Sequence, residues 1–381
     1  MPWQPKDLMQ TKLEFVTLAL KDGANRRELC RRFGISPKTG YALIKRFAAG
    51  GASALQPRSR KPLSSPTQST PQLEQAVIAL RALHPRWGGR KLSAALGNAG
   101  AQPPTASTVT RILHRHGLIT PEASEACARW HRFEHDAPNA LWQVDFKGYF
   151  ETTRGRCNPL TILDDHSRYS LAIAACGKAD TATVQSQMVQ VFERYGLPLR
   201  INTDNGSPWG VPTQPRGSLS ALAVWLIRLG IKVTYSAPYH PQTNGKIERF
   251  HRSLKAEVLD GRSFADIAGA QDAFDDWRRI YNLERPHQAL GLQTPATRYF
   301  PSLRSYSSTL APISYRDEDE VLEVGWNGFV KFKGRKLRLS HALHRLPVAF
   351  RADPHADHCF DVMFCNHRVT QVNLACLDLA K

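Results

Sequence analysis

At 381 residues the chain is too long for one compact domain, so two to four folding units are expected. Its 51 Lys+Arg against 33 Asp+Glu give a formal net charge of +18, which points to a polyanionic partner, nucleic acid first. No apolar run is long enough to span a bilayer, and no apolar stretch follows the first charges. The expectation is therefore a cytoplasmic, nucleoid-associated protein with neither membrane span nor signal peptide.

Residues 1–62 hold 13 Lys+Arg against 4 Asp+Glu, half of the net excess in a sixth of the chain. That localisation suggests a dedicated DNA-binding arm. Residues 8–48 read as three short helices, the last two at 25–33 and 37–48. Between them stands Gly34-Ile35-Ser36, where glycine permits the left-handed turn, Ser36 can cap the next helix and Pro37 suits its first position. This is a helix-turn-helix pattern in a domain over residues 1–55. Leu29, Phe33, Ile35, Tyr41 and Ile44 would form its core, leaving Lys38, Thr39, Lys45 and Arg46 to face DNA.

Residues 56–71 are rich in proline, serine and positive charge without apolar periodicity, and read as a linker. A second helix-turn-helix-like unit is expected over 72–120, its glycines at HPRWGGRKL separating helices and its last helix starting near Thr105. Residues 121–137 would be another linker. Cys127, His131 and His135 have tolerable spacing for zinc, but no second cysteine lies nearby, and none of the seven cysteines forms a CxxC pair; neither a zinc site nor a disulfide framework is expected.

From Leu141 the texture changes. LWQVDFKGYF alternates apolar Trp142, Val144 and Phe146 with polar Gln143, Asp145 and Lys147, as a half-buried strand should. Two more strands flank the polar turn 164–168. There follow a helix at 181–195, a strand at 199–203, a helix at 221–229, a strand at 231–235 and helices at 243–259 and 264–281. Three strands and then alternating helices and strands is the order of a ribonuclease-H-like α/β domain, placed at 138–300. Residues 301–381, with turns at Trp326-Asn327-Gly328 and Lys333-Gly334-Arg335, read as a small β-barrel-like unit. Its Lys331, Lys333, Arg335, Lys336 and Arg338 either touch DNA or form a solvated hairpin. The fold class is multidomain: all-α in front, α/β in the middle, all-β at the end.

Three acids stand where such a fold exposes carboxylates at one end of its sheet: Asp145 within a strand, Asp204 ending one, and Glu248 in the first turns of a helix. Oxygen donors of this kind suit Mg²⁺ or Mn²⁺. Singly, each acid has a plainer reading as an edge-strand charge, a turn residue or a favourable charge at a helix N-terminus. Asp164 and Asp165 are rival acids whose place in a turn favours hydrogen bonding. On the last of these helices Ile247, Phe250, Leu254 and Val258 make an apolar stripe, leaving Glu248, Arg252 and Lys255 together beside it.

In order, WQVDF, LDDHSRY, TDNGS, APYHPQTNGKIERFHRSLK and YNLERPHQALGLQTPA resemble the core signatures of bacterial insertion-sequence transposases of the DDE class and of retroviral integrases, over 138–299. The resemblance implies that Asp145, Asp204 and Glu248 are catalytic and hold two divalent metals. It further implies hydrolysis of phosphodiesters at the ends of a mobile element and joining of the freed 3′-hydroxyl to target DNA, by a homo-oligomer on double-stranded DNA. His240, Gln242, Asn244, Lys246, Arg249, Arg252 and Lys255 would contact DNA near the metals. Forty-three residues separate Asp204 from Glu248 where the group usually has about 35; the Gly/Pro-rich loop after Asp204 absorbs the excess. Two rival functions stand beside this one, a metal-dependent nuclease of the same fold and a helix-turn-helix regulator with an inactive core. RPHQALG and the β tail speak against the nuclease, the intact acids against the regulator.

Overall fold

The structure, a computed structural model, describes residues 8–57, 68–100, 102–119, 135–211, 219–236 and 245–375. The chain divides into two compact units, Met1–Thr70 and Pro71–Lys381.

In the first unit, α1 (Leu8–Ala19), α2 (Arg26–Arg32) and α3 (Pro37–Gly50) form the helix-turn-helix. Asn25 and Ser36 cap α2 and α3 through their side chains, and Gly34 takes the left-handed turn with φ +65°. The core is Phe15, Val16, Ala19, Cys30, Leu43 and Leu55, with Leu29, Phe33, Ile35 and Ile44 packed at its edge. Tyr41 departs from expectation and is 47% exposed. Gly40 explains it: a Cβ there would run into Cys30 Sγ and lie 2.9 Å from Phe15 Cζ, so α3 approaches its neighbours on the Gly40–Leu43 line and Tyr41 rotates outward.

The second unit begins with α4 (Pro71–Leu83), α5 (Gly89–Asn98) and α6 (Ala106–Arg115), packed around Val77, Trp87, Leu92, Val109, Ile112 and Leu113. Glu74 on α4 receives both Arg115 and the His116 ring, so these two side chains fasten the helices together.

The α/β part contains β1 (Trp142–Phe146), β2 (Phe150–Thr152), β3 (Gly155–Asp164), β4 (Ser170–Cys176), α7 (Thr181–Tyr195), β5 (Arg200–Thr203), α8 (Ala221–Arg228), β6 (Lys232–Tyr235), α9 (Gly245–Leu254) and α10 (Ile267–Leu283). The strand expected at 141–150 breaks at Gly148, whose φ is +87°, into β1 and β2. In the sheet, β3 lies between β4 and β1, followed by β5 and β6; β1 runs antiparallel to β3 and parallel to β5. This is the ribonuclease-H-like order. Because side chains alternate along a strand, Trp142 and Val144 enter the core shared with α7 and α8, whereas Gln143 and Asp145 face the side covered by α9 and α10. The stripe of Ile247, Phe250, Leu254 and Val258 is fully buried, with a π-helical turn at Lys255–Leu259.

Beyond it, β7 (Glu320–Glu323), β8 (Phe329–Phe332), β9 (Arg335–Arg338), β10 (Pro347–Ala352), β11 (Cys359–Phe364) and β12 (His367–Asn373) form the all-β tail. Among the described residues the small barrel takes the form of a sheet, β12-β11-β10-β7, faced by the hairpin β8-β9. Phe332 stacks on Phe350 at 3.9 Å between ring centres and joins the two layers. No helix of the described residues is long and apolar enough to cross a membrane.

Gly40→Ala should therefore destabilise the helix-turn-helix by about 1–3 kcal/mol through overpacking, read as faster amide exchange in residues 8–57 with the rest of the chain unchanged. Unaltered exchange would show that the Gly40 approach is not tight.

Candidate active site

The register fixes the first two acids. Gln143 on β1 pairs with Asn202 on β5, so Asp145 and Asp204, each two residues further along parallel strands, come out at the same carboxyl end of the sheet. Asp145 is opposite Thr161 on β3. Glu248, in the first turn of α9, is exposed above that end, as are Arg249, Arg252 and Lys255 along the helix.

Burial, reinforced by the charges of Asp204 and Glu248, pushes the Asp145 carboxyl up to about 7. Asp204 is also raised by burial, against a 3.1 Å hydrogen bond that its carboxylate accepts from Gly206 N–H. Asp145 thus feels the charge of both other acids. Among the described residues no group of three His, Cys, Asp or Glu side chains is gathered closely enough to hold a metal ion. An all-oxygen donor set whose members repel one another still suits a hard divalent cation, which would relieve that repulsion.

His251, one turn beyond Glu248, was not singled out from the sequence. Thr161 Oγ1 donates to the Asp145 carbonyl at 2.9 Å and lies 2.7 Å from His251 Nε2. That hydroxyl has one proton, so Nε2–H must be the donor to it, and the bare Nδ1 faces Asp145 Oδ2 at 3.9 Å. Burial lowers the imidazole to about 4, with Lys147 adding to the effect, so the approach is between a neutral ring and a carboxyl, not an ion pair.

Asp165 does hydrogen-bond, and its partners include Gln143. The buried Gln143 amide accepts from Ile247 N–H at 3.1 Å and donates to Asp165 at 3.0 Å. The Lys246 ammonium meets the other Asp165 oxygen at 2.5 Å. Asp164 caps its own turn through Ser167 and receives Asn139 N–H. Alternation along WQVDF does place Gln143 beside Asp145; nothing local in the sequence says which helix its amide would meet.

The expected DNA contacts divide. On α3, Lys38, Thr39 and Lys45 are exposed, while Arg46 is half-buried and donates to Gln56 O at 2.6 Å. His240, Gln242 and Asn244 lie outside the described residues, as do Cys127 and His131. In the tail the Lys336 ammonium sits 4.5 Å over the Phe329 ring.

Two family models of the integrase core domain match residues 135–241 and 229–295. The central region is thus similar to the integrase core domain. A helix-turn-helix domain matches residues 11–62 and a homeodomain-like domain residues 39–113. Among curated relatives, an uncharacterized protein of insertion element IS476 from Xanthomonas euvesicatoria is 29% identical over 243 residues, covering 61% of this chain and 65% of the relative. One of IS407 from Burkholderia multivorans is 27% identical over 160 residues, covering 42% and 55%. The chain thus spans under two thirds of the length of these relatives. The Gag-Pro-Pol polyprotein of Simian retrovirus SRV-2 is 35% identical over 118 residues, 31% of this chain and 6% of the polyprotein. Of solved structures, the magnesium-bound catalytic core of HTLV-2 integrase overlaps 43% of this chain and 97% of its own at 18% identity and a TM-score of 0.33. A chain of a simian T-cell lymphotropic virus intasome in complex with the PP2A regulatory subunit B56 gamma overlaps 76% and 96% at 17% and 0.37. The ribonuclease-H-like fold rests on the strand order, not on these overlaps.

The raised Asp145 pKa has a consequence for stability. The folded protein binds this proton more tightly than the unfolded chain, so the contribution is complete below about pH 4 and is lost as pH rises through 7. Asp145→Asn removes the titration and should raise the melting temperature in chelator at pH 7–8 by several degrees, with little gain at pH 4. Parallel melting curves across that range would contradict it.

Proposed function

We propose that this protein is a DDE-class transposase that binds the ends of a mobile DNA element, hydrolyses phosphodiesters there and joins the freed 3′-hydroxyl to target DNA. The observation that carries the reading is the register placing Asp145 and Asp204 side by side at the carboxyl end of an integrase core, with Glu248 on the helix above. Relatedness to insertion-element proteins supports it, and the helix-turn-helix domain in front supplies a means of choosing DNA.

Asp145, Asp204 and Glu248 would hold Mg²⁺ or Mn²⁺, two ions in this reading; when bound, such ions activate the attacking oxygen and stabilise the leaving one. The residues do the positioning. In the first step water attacks phosphorus and a 3′-oxygen leaves; in the second that 3′-hydroxyl attacks a target phosphodiester. One P–O bond breaks as another forms, so joining needs no ATP and no protein nucleophile. The exposed Arg249, Arg252 and Lys255 stand beside Glu248, where a phosphate backbone would need countercharge. Lys38, Thr39 and Lys45 on α3 would read the element ends, in a homo-oligomer assembled on DNA in the cytoplasm.

A strand-transfer assay with the element's own flanking DNA tests this. Asp145→Asn, Asp204→Asn and Glu248→Gln should each abolish cutting and joining with DNA binding nearly intact, Mg²⁺ and Mn²⁺ should support activity, and Ca²⁺ should support binding with little chemistry. Activity in two of the three variants, or in excess chelator, would sink the assignment. Separately, Lys38→Ala with Lys45→Ala should weaken binding to end DNA and make its salt dependence shallower without changing the metal requirement. Undiminished preference for end DNA over scrambled DNA would move recognition away from α3.

A further inference from the structure

We infer that Gln143, Asp165 and Lys246 are positioning residues, a three-part tether that fixes the first turn of α9 and through it Glu248. The inference rests on the proposed function only for what Glu248 holds; the tether itself stands on contacts. A helix N-terminus leaves its first amides without partners inside the helix. In α9 one of these, Ile247 N–H, is satisfied from outside by Gln143 Oε1 at 3.1 Å. The donor end of the same amide group holds Asp165 Oδ1 at 3.0 Å, and Asp165 Oδ2 receives Lys246 Nζ at 2.5 Å and His135 N–H at 3.1 Å. Two successive residues of the helix, Lys246 and Ile247, are therefore tied to β1 and to the β3–β4 turn immediately before Glu248.

The arrangement is specific in its chemistry. Gln143 needs both ends of its amide, an acceptor toward the helix and a donor toward the carboxylate; neither Glu nor an apolar residue supplies both. Asp165 is buried, and its charge is met by a Lys246 side chain only 16% exposed. Breaking a buried pair from one side strands the other charge, so the contact holds geometry firmly. Gln143 is also two residues from Asp145 on the same strand face, so one strand sets both the first acid and the start of the helix that carries the third. Lys246, expected from sequence to touch DNA, is assigned here to the tether.

The test uses the full-length protein with Gln143→Met, Lys246→Met and Lys246→Arg. Readouts are amide exchange in residues 245–254, Mn²⁺ binding by electron paramagnetic resonance without DNA, and salt-dependent binding to duplex DNA. Gln143→Met and Lys246→Met should each speed exchange at the start of α9 by about tenfold, the loss of one net hydrogen bond, and weaken Mn²⁺ binding several-fold. Duplex affinity and its salt slope should stay as in wild type, and Lys246→Arg should restore most of the loss. If Lys246→Met does not fold, the double variant Asp165→Asn with Lys246→Met removes the stranded charge and should show the same two changes. Unchanged exchange and Mn²⁺ affinity would overturn the inference, as would a shallower salt slope in Lys246→Met with Mn²⁺ binding intact, which would put Lys246 on DNA. A wild-type protein that takes up no Mn²⁺ would instead refute the proposed function, and the exchange arm would still decide the tether.

Discussion

Like-charged carboxylates do not gather on their own. Asp145 is held partly out of water next to Asp204 and within reach of Glu248, and the cost shows in its raised pKa. Everything around it is arranged to keep those groups from drifting apart. Two parallel strands fix the first two acids by backbone pairing, which side-chain repulsion cannot easily slide. The alternate residues Trp142 and Val144 are sunk in the opposite core, so β1 cannot roll without exposing them.

The third acid is on a helix and needs other means. The apolar stripe of α9 sets its rotation, and Thr161 meets His251 one turn along from the amide of Gln143. Farther on, Glu257 of the π-helical turn is half-buried between Arg285 at 2.8 Å and the Trp277 indole N–H at 2.9 Å. Arg285 also donates to Ser253 at 3.2 Å. The RPHQALG segment therefore acts on the helix of the third acid from behind, as a brace. His287 beside it is driven down to about 3 by burial and neighbouring cations, and so remains an uncharged part of that packing.

Many elements were legible because each was signalled locally: alternation in WQVDF, the apolar stripe from Ile247 to Val258, the cap at Ser36. The three acids were legible from long motifs around them. What stayed hidden depended on partners distant in sequence. Gln143 reads as the polar half of an alternating strand, and only the fold reveals that Ile247, 104 residues away, donates to it. Tyr41 fits a helical core pattern, yet the close approach at Gly40 turns it outward. Trp209 and Leu219 read as part of a Gly/Pro-rich loop, but both are buried in the main core, Trp209 against Phe146. The strand β12 was missed since HRVTQVN does not alternate: its buried Val369 and Val372 stand three apart, where the pairing with β11 slips by a residue opposite Val362 and Met363.

The hydrophobic core does not stop where the α/β part ends. Val324, Phe332, Leu343, Val348 and Phe350 of the tail belong to one cluster with Phe192, Leu222 and Leu226, and Ser340 donates to Leu219 O at 2.7 Å across the junction. The tail and the core have thus to change together: a chimaera that exchanges residues 301–381 for another all-β unit would leave an apolar flank on α7 and α8 shaped for a departed neighbour. Inheritance of this region as a single block, not as interchangeable modules, is the evolutionary signature such a shared core imposes.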